Sequence, residues 1–459
     1  MTMSRLARAG TVAVALCVAG CSTYKPLPLP ERPNLVPSLA QLNLAVPSQD
    51  PDKPATLDIS KPLTPDQVGL LAVVNNPDVA VARAKIAAAK ADLLESKILP
   101  NPSLSLGLAS VVSAPPGAAI ADAMTASISQ DIQSIITYSA RVDSAEAKFK
   151  QVGVDALWDD WQVAQKARLL AIAINSEDRE IKLREDALVL LRTHLRDVRK
   201  ATEAGNLDLT AEAPLLATEA GAEHDLAAVR LDELKNWQEI DSLLGLQPSA
   251  RFAIAAPEPV KLPDDIDGLI ASLPDRRPDL VALRLGYDAA EADVRAAILG
   301  QFPAFSLGVA GGSDTSGVVS LGPQVTFDLP IFNRGQGKVA VAKADRQQMH
   351  AEYQSRLDDA EGTARSLLVL AHTAQANLER ARSALAEARK NHEAAEHAYH
   401  QGNLNQRDLS DYQSTALDRE VEVIDYERNL QEDSLGLSVE LGLGFPRAML
   451  ATPDRETRE

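Results

Sequence analysis

Aromatic side chains make up only 4% of this chain of 459 residues, and it has only two cysteines. That scarcity excludes a compact core built on large rings. Long proline-free stretches of Ala, Leu, Glu, Arg and Gln point instead to long helices packed along small residues. Positive charge is also short, with 46 Lys and Arg against 64 Asp and Glu for a net charge of −18, which argues against nucleic acid as a partner. Beyond the N-terminus, no segment offers the ~18 or more consecutive apolar residues that a membrane-crossing helix needs. Any crossing of a bilayer would therefore have to be made by a closed β-barrel.

The N-terminus reads as an export signal. Arg5 and Arg8 precede an apolar run from Ala9 to Val18 that is too short to span a bilayer. Val18-Ala19-Gly20-Cys21 follows, small residues before a cysteine, as in bacterial lipoprotein signals. On that reading residues 1–20 are removed and Cys21 is acylated and anchored in lipid. Cys17 leaves with the signal, so no disulfide can form within the mature chain. Residues 21–62 are rich in proline and suit an extended strap.

The rest repeats itself. Asn76-Pro77-Asp78 and Arg277-Pro278-Asp279 each open a helical stretch, and Pro102 and Pro303 each follow one, all at a displacement of 201. Gly205-Asn206-Leu207 and Gly402-Asn403-Leu404, then Leu244-Gly245-Leu246 and Leu441-Gly442-Leu443, recur at 197. The second copy is thus four residues shorter at some point between, most simply in a hairpin loop. The expected organisation is a first repeat over 63–248, a second over 249–446 and a tail over 447–459.

Each copy spells helix, strand, strand, helix. Leu104, Leu106 and Leu108 alternate with Ser103, Ser105 and Gly107, while Met124, Ala126, Ile128 and Ile132 alternate with Thr125, Ser127, Ser129 and Asp131. Gln130 breaks that apolar face. In the second copy Phe305, Leu307 and Val309 form one alternating run, and the stretch Val319 to Leu329 forms the other. A half-buried sheet in a soluble protein gives the same alternation, and the pattern alone favours it. If the strands do cross a membrane, four of them cannot close a barrel, so several protomers must pool theirs.

Proline-free stretches from about Ser144 to Ala204 and from about Val341 to Gln401 predict two very long helices. In the second, Leu367, Ala371, Ala374, Leu378, Ala381, Leu385, Ala388, His392, Ala395 and Tyr399 step by four and three, as a coiled-coil seam does. The return helix offers Leu409, Tyr412, Ala416, Val423, Tyr426, Leu430 and Leu437. Tight turns at Gly205-Asn206 and Gly402-Asn403 make the helices antiparallel.

Together these motifs resemble the TolC-like outer-membrane efflux factors. The resemblance rests on Arg277-Pro278-Asp279-Leu280, Pro102 and Pro303, Leu329-Pro330-Ile331-Phe332-Asn333-Arg334-Gly335 and Tyr399-His400-Gln401-Gly402, besides the lipoprotein signal and the duplication. It implies a mainly α fold with a β-barrel part: coiled-coil helices forming a periplasmic tunnel, and four strands per protomer in a homotrimeric, twelve-stranded outer-membrane barrel. It further implies passive conduction in partnership with a periplasmic adaptor and an inner-membrane efflux pump. The stretch Phe332 to Gly337 looks closest to members serving heavy-metal pumps, with metal cations or small toxic compounds as cargo. One-step protein secretion on the same fold, and a non-conducting structural lipoprotein, are the competing readings.

In the family, carboxylates just after the second tip turn line the tunnel's constriction, and Asp408 and Asp411 stand there, three apart on one helix face. Negative charge near a helix N-terminus explains them equally well. The first copy has Ala211 and Pro214 at those places, so its return helix should start later, with Glu212 as a less certain counterpart. His392, His397 and His400 lie near the tip, but charged helices routinely carry histidines on wet faces, and no metal site is assigned. The string from His392 to His397 misses both zinc-protease spacings by one residue. No nucleophile constellation, phosphate-cradling loop or cysteine pair occurs, so neither a catalytic site nor a cofactor is expected.

Overall fold

The computed structural model describes residues 24–46, 55–113, 117 and 121–444. The signal, Cys21 and the tail lie outside the described residues. The chain divides into one unit ending at Leu35 and a second beginning at Val36. In the first, Tyr24–Leu35 forms no helix or strand and is exposed.

The second unit holds both repeats. In the first come α1 (Pro65–Asn75), α2 (Pro77–Ser96), β1 (Ser103–Ala109), β2 (Ala123–Asp131), α3 (Tyr138–Glu203) and α4 (Glu212–Leu244). The second supplies α5 (Pro278–Leu299), β3 (Phe305–Ser313), β4 (Val319–Phe327), α6 (Gln336–His400) and α7 (Gln406–Glu440). The long helices begin at Tyr138 and Gln336, about one and a half turns before the expected Ser144 and Val341. Their 66 and 65 residues correspond to roughly 100 Å each. Among the described residues no helix is long and apolar enough to cross a membrane.

Both long helices stop for the same reason. Gly205 and Gly402 adopt φ of 76° and 74°, a left-handed conformation cheap only for glycine. The N–H groups of Asn206 and Asn403 then reach back to the carbonyls of Ala201 and Ala398, closing Schellman caps. Gly442 ends α7 likewise, with Leu443 N–H donating to the Ser438 carbonyl. The recurring Gly-Asn-Leu and Leu-Gly-Leu strings are therefore helix stops.

The coiled-coil seam is buried where expected: Ala371, Ala374, Leu378, Ala381, Leu385, Ala388 and Ala395 on α6 face Leu409, Val423 and Leu437 on α7. His392 is half-buried, and Tyr399 and Tyr412 are exposed, so the seam loosens towards the tip. One core recurs in each copy. Ala167, Ile240 and Leu244 in the first correspond to Ala364, Leu437 and Leu441 in the second. The first core also takes in Leu39, Val46 and Leu63 ahead of α1 and Leu246 and Ala250 after α4.

The four strands form one antiparallel sheet in the order β1-β2-β3-β4. The length difference between repeats falls in the hairpins, where Ala109 is followed by Ala123 in one sheet pair and Ser313 by Val319 in the other. β2 ends at Asp131, and Ile132 already has helical backbone angles, so Ile132 does not extend the strand's apolar face as expected. The Asp131 carboxylate ends the strand by accepting from Gln133 N–H.

Candidate functional site

The register gives the sheet two unlike faces. Leu104, Leu106 and Leu108 lie opposite Ile128, Ala126 and Met124, and Ile128 lies opposite Val309. Leu307 faces Val325, Phe305 faces Phe327 and Gly311 faces Leu321. Residues directly opposite in a ladder point to the same side, so all of these share one face. That face is uncovered, with Leu106 at 75% and Leu321 at 80% exposure. Gln130 is its polar interruption, and its side-chain amide is occupied by the Pro100 carbonyl. The opposite face carries Ser103, Ser105, Thr125, Ser127, Ser129, Ser306, Gln324 and Thr326. Among the described residues β1 and β4 each pair along one side only, leaving two free edges. An apolar, unpaired sheet is unstable in water, but it suits hydrocarbon once its edges find partners.

At the tips, the structure gives Asp408 a local task. Asn405 caps α7, its Oδ1 accepting from Asp408 N–H at 2.9 Å, while its Nδ2 donates to Asp408 Oδ2 at 2.8 Å. The spacing Asn-x-x-Asp is a capping signal that the sequence already carried. Asp411, one turn on, is exposed. In the first copy a short 3-10 turn over Leu209–Ala211 precedes α4, so that helix starts later, as Pro214 required. Glu212 takes Arg199 Nε at 3.4 Å across the hairpin. Glu393, Glu396, His397 and His400 are exposed, and among the described residues no three metal-binding side chains come together.

Two polar features were not anticipated, because their partners are remote in sequence. Near the tips, Ser410 Oγ on α7 lies 3.3 Å from His194 Nδ1 on α3, and burial pushes the His194 imidazole below its ordinary value, against the pull of Asp197. Higher up, Glu427 on α7 accepts from Arg179 of α3 and Arg382 of α6, each at 2.9 Å. Burial opposes ionisation of Glu427, but the two arginines outweigh it and hold its carboxyl below the usual range. Burial also pushes Glu177, Asp418 and Asp425 up. Repulsion from Glu180 adds to the effect at Asp425. The second hairpin is thus tied to the first by titratable groups along α3 and α7.

The Arg277-Pro278-Asp279 motif proves to be a clamp. Arg277, 3% exposed, donates to both carboxylate oxygens of Asp279 at 3.0 and 2.7 Å, and also to the Glu440 carboxylate at the end of α7. Its guanidinium lies 5.1 Å from the centre of the Trp158 ring on α3.

No curated protein sequence matches this chain. The outer membrane efflux protein family matches residues 269–443. Among solved structures, the outer-membrane channel CmeC of Campylobacter jejuni is 18% identical over 93% of this chain and 96% of its own, with a TM-score of 0.69. CusC, described for conformational changes accompanying folding and transmembrane channel formation, is 18% identical over 83% and 92%, with a TM-score of 0.67. The open state of the Neisseria gonorrhoeae channel MtrE is 15% identical over 92% and 99%, with a TM-score of 0.65. The outer membrane efflux protein family is thus matched across the second repeat, and the fold of nearly the whole chain is one that it shares with solved outer-membrane channels.

Proposed function

We propose that three copies of this chain pool their strands into a twelve-stranded outer-membrane barrel, continuous with a helical periplasmic tunnel. Through it heavy-metal cations or small toxic compounds pass from a periplasmic adaptor and an inner-membrane pump to the exterior. Lipid on Cys21 tethers the assembly. The observation that carries this reading is the uncovered apolar sheet face between two free edges, which a non-conducting coiled-coil spacer would leave unused. Conduction is passive, and the helix tips, where Asp411 is exposed, form the constriction. A ring of these carboxylates, one from each protomer, attracts cations. Asp408, held by Asn405, and Glu212, held by Arg199, shape the same region.

Planar-bilayer recording of the purified protein tests this. Stepwise conductance is expected, with a cation preference that falls in Asp411→Asn more than in Asp408→Asn. Protein that inserts yet stays silent in the wild type and in both variants would rule out a channel. Susceptibility of a deletion strain to metals and to organic toxins then separates the cargo classes, and failed export of a protein instead would point to secretion.

A further inference from the structure

The helical layer runs in the same order as the sheet. α2 packs on α3, α3 on α5 and α5 on α6, just as β1, β2, β3 and β4 follow one another. Equivalent helices of the two repeats nevertheless meet different surroundings. α5 lies between α3 and α6, and its Val281, Ala282 and Ala289 are at most 4% exposed. Their counterparts 201 residues earlier on α2 are Ala80, Val81 and Ala88, all exposed, Val81 at 53%. The long helices differ in the same way. On α3, Val154 is buried with Val281 and Ala282, and Ser144 is 3% exposed. At a displacement of 197 their counterparts on α6 are Ala351 and Val341, both exposed. The chain thus builds one interface between α3 and α5 and leaves its two halves uncovered on α6 and α2.

Register and charge fit a second use of that interface. The α3–α5 contact is antiparallel, with Asp143 paired to Arg295 and Lys148 to Asp293. Transferred by the two displacements, Ala340 of α6 comes opposite Leu94 of α2, an exposed apolar pair in place of an ion pair. Asp345 stands where α3 has Lys148, and α2 offers Lys90 beside Asp92 where α5 has Glu291 beside Asp293. The signs of one acid and one base are exchanged together, so opposite charges still meet.

We propose that the flank of α2 bearing Val81, Ala88 and Leu94 docks on the flank of α6 bearing Ala340, Val341 and Ala351 in a second copy, in the packing that joins α5 to α3 within one chain. The docking presupposes the three-copy assembly proposed above and specifies which surfaces meet in it. The contact is heterologous, one end of the helical row against the other, so each copy adds the next in a single rotational sense. The same rotation brings β4 of one copy beside β1 of the next, and closing the ring covers the helix flanks and the strand edges together.

Full-length protein carrying Val81→Cys and Ala351→Cys, oxidised in the membrane, tests the contact. Covalent dimers and trimers are expected and nothing larger, with the linked peptides, identified by mass spectrometry, coming from different chains. Neither single variant should link to itself, because the contact sets α2 against α6 and not against another α2. Self-linking of a single variant, a link within one chain, or no link in protein that native mass spectrometry shows to be trimeric would overturn the docking. In that last case the channel reading survives, whereas a monomeric wild type would remove both. Charge exchange gives an independent reading: Lys90→Asp and Asp345→Lys should each lower the yield of detergent-resistant trimer several-fold, and the double variant should restore it. A double variant no better than either single would place the two side chains apart and break the register.

Discussion

Asp241 shows how a single residue can make this fold sensitive to pH. It sits 1% exposed on α4 with Arg251 Nη1 3.4 Å away, and one of its carboxylate oxygens has no hydrogen-bond partner. Burial pushes its pKa up to about 6, against the opposing charge of Arg251. A carboxyl raised in the folded state holds its proton longer there than in the unfolded chain. Its stabilising contribution is therefore complete below the ordinary value of 3.8 and is lost as pH rises through about 6. Asp241→Asn, neutral throughout, should flatten the decline of thermal stability between these pH values and stabilise the protein at neutral pH by up to about 3 kcal/mol. Thermal unfolding followed by helical circular dichroism across that range checks it, and parallel curves for wild type and variant would refute the assignment. Arg277 is the opposite case: it is buried and fully engaged by Asp279, Glu440 and the Trp158 ring, so removing its charge would strand two carboxylates. Neither environment was legible beforehand. The Arg277-Pro278-Asp279 string was conspicuous, but nothing local says that Glu440, at the far end of the repeat, completes it.

At the scale of elements, the helical hairpins rest on a narrow seam of small residues. Leu378, Ala381, Leu385 and Val423 form one of its buried clusters, flanked by Tyr426 and Leu430. Truncating Leu378, which is 5% exposed, to alanine leaves a hole between two helices with little else to collapse into it. A loss of about 2–5 kcal/mol is expected. Val369→Ala, at a 64% exposed position on the same helix, should stay within about 0.5 kcal/mol. Chemical unfolding of the two variants under identical conditions makes the comparison, and equal effects would show that α6 is not held by this seam. The seam, the turns and the alternating strands were readable in the sequence because each is a local periodicity or a glycine demanded by backbone geometry. Contacts between hairpins were not. Ser410 with His194, and Glu427 with Arg179, join helices whose relative rotation no local pattern records. Of the candidate gate, the sequence showed that Asp408 and Asp411 open the return helix, but not that the capping bonds of Asp408 leave Asp411 as the freer charge.

At the scale of the whole molecule, the barrel reading depends on which face of the sheet meets lipid, and neighbouring residues of β4 separate the two faces. Leu321 lies opposite Gly311 on the apolar side, while Ser320 lies opposite Gly312 on the hydroxyl-bearing side. An arginine on a lipid-facing strand position costs about 2–4 kcal/mol at the bilayer midplane, and the proposed trimer would bear that cost three times over. Leu321→Arg should therefore deplete the protein from the outer membrane and weaken trimer recovery. Ser320→Arg, one residue away, places the same charge on the face that the proposed barrel turns to water. It should insert normally but shift the reversal potential towards anions, because a ring of cations then lines the pore. Membrane fractionation reads the first outcome and single-channel recording the second. Normal insertion of Leu321→Arg together with loss of Ser320→Arg would invert the faces, and the uncovered leucines would then have to be explained by a protein partner. Indifference to both changes would mean that the strands do not cross a membrane, leaving the long hairpins as a periplasmic structure without a pore.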